Sequence, residues 1–135
     1  MKFLLDTNIV CEPHRQKPDA GCVAWLQAQI PGAMATSAIT LAEVWQGVLD
    51  LDVADRRRPV LARFAENLSQ VFRPLCFDER AAKTWGEITR RGRPPLPVRD
   101  SLIAAIALSR KLTVVTRDES PFKRAGCRTL NPFAI

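Results

Sequence analysis

Residues 2–10 read KFLLDTNIV, and in this stretch an apolar run is interrupted by three polar residues. The run Phe3–Leu5 is typical of a short strand that is buried on both faces of a parallel sheet. Asp6, Thr7 and Asn8 follow at once, and two aliphatic residues then restore the apolar character. In open parallel sheets, ligands bind outside the carboxyl ends of the strands. The position of Asp6 therefore predicts a functional site at this edge of the sheet.

Working outward from this stretch, strand-like and helical patterns alternate along the chain. Five short strand-like segments predict strands at residues 3–5, 34–36, 75–77, 113–115 and 128–130. Apolar spacing of three and four residues predicts helices at about residues 19–30, 41–51, 60–71, 80–90 and 101–110. The last of these is apolar over most of its circumference, which predicts a central helix covered on several sides. This alternation is typical of the α/β class, with helices packed on a parallel sheet.

Length and composition favour a single globular domain over residues 1–135. No apolar run approaches the ~20 residues of a membrane span, and we expect no membrane association. The N-terminal run is broken by Asp6 and lacks the features of a signal peptide, so we expect a cytoplasmic protein with reduced cysteines. Cys11 and His14 supply two zinc ligands, too few for a closed site. The net charge of +6 favours polyanionic partners such as nucleic acid.

Four acidic residues fall where the carboxyl edge of such a sheet is expected. Asp6 and Asp118 follow predicted strands, and Glu43 and Asp100 lie near helix starts that come after strands. Two carboxylates about 4 Å apart repel each other by roughly 4 kcal/mol at an effective dielectric constant near 20. A divalent cation offsets this repulsion, and ligation by oxygen alone suits Mg²⁺ or Mn²⁺.

Each of these acids also has a purely structural interpretation. Asp6 and Asp118 lie among turn-forming residues. Glu43 completes the capping-box pattern with Thr40, and Asp100 directly precedes an apolar run, as an N-cap residue does. We interpret Asp78, in a similar context, as a helix cap only.

Longer motifs resemble a known family. LLDTNIVCEP at residues 4–13, TSAITLAEVWQG at 36–47, RDSLIAAIALSRKLTVVTRDESPF at 99–122 and LNPF at 130–133 are similar to PIN-domain ribonucleases of the VapC toxin group, and among these to the FitB-like branch. The likeness extends over residues 4–133 with the motifs in the family's order.

The resemblance implies a three-layer α/β/α sandwich around a parallel sheet of four or five strands. It implies the toxin of a type II toxin–antitoxin system, acting as an endoribonuclease that depends on Mg²⁺ or Mn²⁺. By this match the catalytic and metal-binding carboxylates are Asp6, Glu43, Asp100 and Asp118. Asp6 and Asp100 would be metal ligands, Glu43 would complete the ligand set or orient a water, and Asp118 would hold a second metal or position a water.

Polar and basic residues around these acids are candidates for substrate binding. The resemblance assigns a bracing or phosphate-contacting role to Thr7, Asn8 and Thr116. Their places beside the predicted site make Arg93, Arg99 and Arg117 candidates for contacts with RNA phosphates. One departure from the family is Pro121, where many relatives have an acid, and Glu119 is the nearest substitute.

The resemblance also implies partners: a VapB-type antitoxin, operator DNA bound only through that antitoxin, an RNA substrate, and a second copy of the chain in a homodimer. Two other functions remain open. One is a non-catalytic RNA-binding or regulatory module with the PIN fold. The other is a receiver-like phosphoacceptor domain, which requires a lysine near the end of a late strand. The residues after the predicted fourth strand, 116–118, contain no lysine.

Overall fold

Over the described residues, five parallel strands form one sheet. A computed structural model describes residues 1–134. The strands are β1 (Phe3–Leu5), β2 (Met34–Ser37), β3 (Arg73–Leu75), β4 (Thr113–Val115) and β5 (Thr129–Leu130). Their order across the sheet is β3-β2-β1-β4-β5, and every neighbouring pair is parallel. The predicted α/β class and the parallel sheet are confirmed.

Strand β3 begins two residues earlier than predicted. The sequence placed this strand at residues 75–77, whereas the structure places it at Arg73–Leu75. Pro74 within it lacks an amide donor, and a proline is tolerated there because β3 is an edge strand. The predicted fifth strand is shorter than expected and covers Thr129–Leu130 only.

Seven helices connect and cover the strands over the described residues. They are α1 (Thr7–Cys11), α2 (Ala20–Ala28), α3 (Ala38–Leu49), α4 (Arg57–Val71), α5 (Glu79–Thr89), α6 (Val98–Ser109) and α7 (Ser120–Ala125). The five long helices match the predictions in kind, although α3 and α6 each begin three residues earlier than expected. Helices α1 and α7 were not predicted, because five or six residues are too few to show a helical period.

The two faces of the sheet carry separate hydrophobic cores. Leu4 and Val114 point to the side covered by α5, α6 and α7. Phe3, Leu5 and Val115 point to the opposite side, which is covered by α1, α2, α3 and α4. The helices thus form the two outer layers of an α/β/α sandwich. Residues 103–107 of α6 are completely buried, which confirms the prediction of a central covered helix.

The strand order creates a crevice between β1 and β4. The chain moves outward from β1 to β2 and β3 on one side, and then crosses to β4 and β5 on the other. Such a reversal opens a crevice at the carboxyl ends of the two central strands. Receiver domains such as CheY have the different order 2-1-3-4-5. The receiver-like alternative is therefore excluded by topology.

Within the described residues, every helix is too short or too polar to cross a membrane.

Candidate active site

A cavity of about 340 Å³ occupies the crevice between the ends of β1 and β4. It is lined by Asp6, Thr7, Asn8, Cys11, Glu43, Arg99, Asp100, Asp118 and Phe122. All four acids that the sequence singled out line this cavity, although up to 112 positions separate them along the chain, from residue 6 to residue 118. The fold thus brings together one acid from each of four separate segments.

Asp6 is held at the base of the cavity by hydrogen bonds to both carboxylate oxygens. The Thr7 backbone N–H donates to Oδ1 at 2.8 Å, and the Thr116 hydroxyl donates to Oδ2 at 2.9 Å. Asp6 is also the N-cap of α1, which confirms its structural interpretation, and it lines the cavity as well. Burial raises the pKa of Asp6 above its ordinary value, and the two hydrogen bonds only partly oppose that rise.

Thr116 links the two strand ends that carry acids. Its side chain is completely buried behind the cavity, and its oxygen also accepts the backbone N–H of Asp118 at 3.1 Å. Asn8 braces the same loop, because its Oδ1 accepts the backbone N–H of Arg117 at 3.1 Å. Thr116 and Asn8 thus fix the path of the chain after β4, from which the Asp118 carboxylate reaches the cavity.

Glu43 and Asp100 project from helices whose N-termini are capped by other residues. Ser37 is the N-cap of α3, and its Oγ accepts the Thr40 backbone N–H at 3.0 Å. The predicted capping box of Thr40 and Glu43 is therefore wrong, because α3 starts three residues before the predicted boundary. The N-cap prediction for Asp100 is also wrong, since α6 begins at Val98 and Pro97 occupies the cap position. Asp100 lies in the first turn of α6, where the helix dipole favours negative charge.

Arg99 is the single cation among the residues that line the cavity. Its guanidinium donates to the Glu43 carboxylate, Nη1 to Oε2, at 3.1 Å. Desolvation raises the pKa of Glu43, and the positive charge of Arg99 opposes this rise. The pKa of Asp100 is raised by desolvation first and then by the negative charges of Asp6 and Asp118. The carboxylates therefore repel one another, as the sequence analysis anticipated.

The chemistry of the donor set fits a hard divalent cation. Over the part of the chain that the structure describes, no three His, Cys, Asp or Glu side chains form a ready-made ligand cage. Mg²⁺ does not require such a cage, because it retains several waters and is commonly held by one or two carboxylates together with substrate phosphates. Cys11 is the one soft ligand in the cavity, and burial together with Glu43 raises its pKa to about 11, so its thiol stays protonated. Oxygen donors thus dominate the cavity.

The remaining predicted site residues are divided between this cavity and other surfaces. Thr7 and Asn8 line the cavity. Arg93 is exposed and is not among the lining residues, and the Arg117 side chain lines a neighbouring cleft instead. Glu119, the proposed substitute for the acid replaced at Pro121, points elsewhere, and its carboxylate accepts the Thr129 hydroxyl at 2.7 Å.

Two residues that line the cavity, Cys11 and Phe122, were not predicted from the sequence as part of this site. Cys11 lies one helical turn after Thr7 on α1, so recognising that short helix is what would have identified it. Phe122 is almost completely buried on α7 and forms an apolar wall beside the acids.

A parallel sheet with acids gathered at its central carboxyl edge is the architecture of a known family, and comparison with known proteins identifies it. The PIN domain family matches residues 3–126, which is most of the chain, and the protein belongs to the PIN-domain family. Within it, the relatives are VapC and FitB toxins, which confirms the predicted resemblance.

Two relatives and one solved structure illustrate the similarity. The chain is 35% identical to Toxin FitB of Neisseria gonorrhoeae, over 97% of this chain and 98% of the relative. It is 33% identical to the tRNA(fMet)-specific endonuclease VapC of Shigella flexneri, over 93% of each chain. The structure of FitAB bound to an IR36 DNA fragment superposes with a TM-score of 0.89 at 33% identity, over 98% of this chain and 96% of that chain.

Proposed function

We propose that this protein is the toxin of a type II toxin–antitoxin system and that it hydrolyses RNA phosphodiester bonds with Mg²⁺ or Mn²⁺ as cofactor. The observation that carries the proposal is the convergence of Asp6, Glu43, Asp100 and Asp118 on one cavity at the topological switch point. Relatives over nearly the whole chain are named toxins and endonucleases, which supports the same activity.

In the proposed reaction, Asp6 and Asp100 would hold the cation. Asp6 is fixed for this purpose by Thr116 and Thr7, whereas Asp100 is carried on the rigid first turn of α6. A bound divalent cation would supply Lewis acidity, which makes water nucleophilic near neutral pH and stabilises charge on a phosphoryl group. Glu43 and Asp118 lie around the same space and would orient water and further ligands.

No cysteine or histidine side chain in the cavity can compete with water as the nucleophile that attacks phosphorus. The Cys11 thiol has a raised pKa. His14, the one histidine of the sequence, packs against Phe64 with the two rings tilted by 45°, and it does not line the acidic cavity. We therefore propose direct in-line attack of water on phosphorus, with the 3′-oxygen as leaving group. This reaction produces 5′-phosphate and 3′-hydroxyl ends and does not use the ribose 2′-hydroxyl.

The proposed partners follow from the same relatives. FitAB was solved as a complex on DNA, and we propose that this chain likewise binds a VapB-type antitoxin and reaches operator DNA through it. Val98, which is 68% exposed beside Arg99, belongs to an apolar surface next to the active site. We propose that a second copy of the chain covers this surface in a homodimer.

The decisive experiment is digestion of total RNA by the purified, antitoxin-free protein with Mg²⁺, with Mn²⁺ and with EDTA. We expect cleavage only with metal, ends that carry 5′-phosphate and 3′-hydroxyl groups, and loss of cleavage in Asp100→Asn. Asp78→Asn is the matched control, because it removes the same charge from a helix cap outside the cavity and asparagine also caps helices.

The same experiment tests the non-catalytic alternative. A wild-type protein that binds RNA but gives no metal-dependent turnover would be an RNA-binding module with the PIN fold. Activity that survives in Asp100→Asn would refute the proposed site, because the cut would then come from other residues or from a contaminating nuclease.

A further inference from the structure

A second, larger cleft adjoins the candidate active site at the loop that follows β4. Its volume is about 810 Å³, and none of the four site acids lines it. Among the residues that line it are Glu12, Arg15, Lys17, Asp19, Arg117 and Phe133. We infer that this cleft binds a nucleotide of the RNA strand next to the scissile bond, an inference that rests on the proposed ribonuclease function.

The charged groups of this flanking cleft favour an anionic ligand. Glu12 is buried, and its Oε1 accepts the backbone N–H of Asp19 at 2.9 Å. Asp19 in turn caps α2 by accepting the Cys22 backbone N–H at 2.8 Å. The two carboxylates are thus engaged in holding the loop, and Arg15 Nη1 also lies 3.7 Å from Glu12 Oε2. Arg15, Lys17 and Arg117 are exposed, and Lys17 and Arg117 have no carboxylate partner among the ion pairs of the described residues. Exposed cations of this kind bind nucleic-acid phosphates.

Arg117 also provides a flat surface for a base. Its guanidinium lies over the ring of Phe133, with the guanidinium carbon 4.9 Å from the ring centroid. Asn131 orders both residues, since its Oδ1 accepts the Phe133 backbone N–H at 3.0 Å and its Nδ2 donates to the Arg117 carbonyl at 3.4 Å. Single-stranded RNA bases stack on aromatic rings and on guanidinium planes. The Arg117–Phe133 pair is therefore a preformed stacking platform.

The platform is connected directly to the active site through two short links. Arg117 and Asp118 are consecutive, yet Arg117 lines the flanking cleft and Asp118 lines the acidic cavity. Asn8, which lines the acidic cavity, accepts the Arg117 backbone N–H. An RNA strand with its scissile phosphate near Asp118 would thus place an adjacent nucleotide over Arg117.

An acidic peptide, such as a segment of an antitoxin, is the other class of ligand that these cations would attract. The stacked platform favours RNA, because a base uses the face of the guanidinium, whereas a carboxylate-rich peptide would bind its edge and gain nothing from the stacked face. The two ligands are distinguished by whether recognition depends on the plane of the guanidinium or only on its charge.

The test uses oligoribonucleotides that span a cut site mapped in total RNA. One is a minimal substrate, and two others are extended only on the 5′ side or only on the 3′ side of the cut. For wild type we expect an extension on one side to raise kcat/KM about tenfold, within the range of stacking one base, and the other extension to have little effect. We expect Arg117→Ala, and also Arg117→Lys, to lose most of this one-sided gain.

Arg63→Ala is the matched control, because Arg63 is an exposed arginine on α4, outside both cavities. It should retain the ratio of kcat/KM for extended and minimal substrates. An unchanged ratio of kcat/KM for extended and minimal substrates in Arg117→Ala overturns the inference. The inference is also overturned if Arg117→Lys keeps the gain from the extension and an added oligoglutamate peptide abolishes it, because the cleft would then be a peptide site that depends on charge alone. If wild type cleaves no RNA at all, the proposed ribonuclease function fails first, and the two failures are thus distinguishable.

Discussion

Replacing Thr116 by valine should destabilise the metal-free protein through the charge on Asp6. The Thr116 hydroxyl is completely buried and donates to the Asp6 carboxylate at 2.9 Å. Hydrogen bonds to charged groups contribute about 1.5–3 kcal/mol, and valine preserves the volume but not the donor. We therefore expect Thr116→Val to lower the free energy of unfolding by about 1.5–3 kcal/mol at neutral pH. For a chain of this size that loss lowers Tm by about 5–10 °C.

The effect should also depend on pH. The pKa of Asp6 is already raised by burial, and loss of the Thr116 donor, which favours the ionised carboxylate, should raise it further. A group whose pKa is raised in the folded state loses its stabilising contribution as pH rises through that pKa. The stability difference between wild type and Thr116→Val should therefore be largest at neutral pH and should shrink in acidic buffer, where Asp6 is protonated in both proteins.

The assay is urea unfolding followed by tryptophan fluorescence, with EDTA present, at neutral and at acidic pH. Thr129→Val is a matched control, because Thr129 also donates to a carboxylate, that of Glu119, but at a half-exposed position. We expect this change to cost less than about 1 kcal/mol, since water replaces the lost donor there. Equal losses in the two variants, or a loss for Thr116→Val that is independent of pH, would refute the reasoning.

Three further predictions concern the same architecture. Asp100→Asn should stabilise the metal-free protein by about 0.5–1 kcal/mol at neutral pH, which is the scale of charge interactions at half-exposed sites. It should also abolish any rise in Tm on adding Mn²⁺, and a thermal melt that shows destabilisation of the metal-free variant would contradict the prediction. The metal-free wild type should become more stable as pH falls from neutral, because Asp6, Glu43 and Asp100 have raised pKa values and stability is lost as pH rises through them. In urea titrations, Mn²⁺ should reduce this dependence of stability on pH. Trp85→Phe should cost about 1 kcal/mol by removing the 2.9 Å bond from the indole Nε1 to Ser101 between α5 and α6, and RNA cleavage should remain close to wild type.

The positions of the two central strands could be predicted from the sequence, because hydrophobic patterning indicates which segments are buried. Phe3–Leu5 is a short apolar run and Thr113–Val115 is a short β-branched run, and both strands lie where the pattern placed them. Helix starts were harder to predict, because capping depends on the conformation of one residue. Ser37 and Thr40 are both plausible N-caps in the sequence, and the structure shows that Ser37 has that role.

This small difference in boundaries decides the interpretation of two acids. Had α3 begun near Thr40, the Glu43 side chain would have been used to satisfy the backbone of its own helix end. Because Ser37 satisfies that end, Glu43 is free to extend into the cavity and pair with Arg99. The Asp100 side chain is likewise not used as a helix cap, because Pro97 occupies the N-cap position and α6 begins at Val98. The flanking cleft gave no such signal, because its lining residues, such as Arg15 and Phe133, come together only when distant loops meet.

The placement of Arg99 explains how the acidic cavity can be stable without a metal. Asp6 and Asp100 both have raised pKa values, and the charge of Arg99 acts against each rise. The cavity holds one guanidinium and four carboxylates, so Arg99 relieves only part of the repulsion between the acids. A bound dication would relieve the rest. The Arg99 side chain is about half exposed, with 54% of its surface accessible, so a change of partner requires little rearrangement of the core. A cation held by these acids would compete with Arg99 for Glu43, and the guanidinium would then be able to contact a substrate phosphate, so the same residue can balance the charge of the acids and contact the substrate.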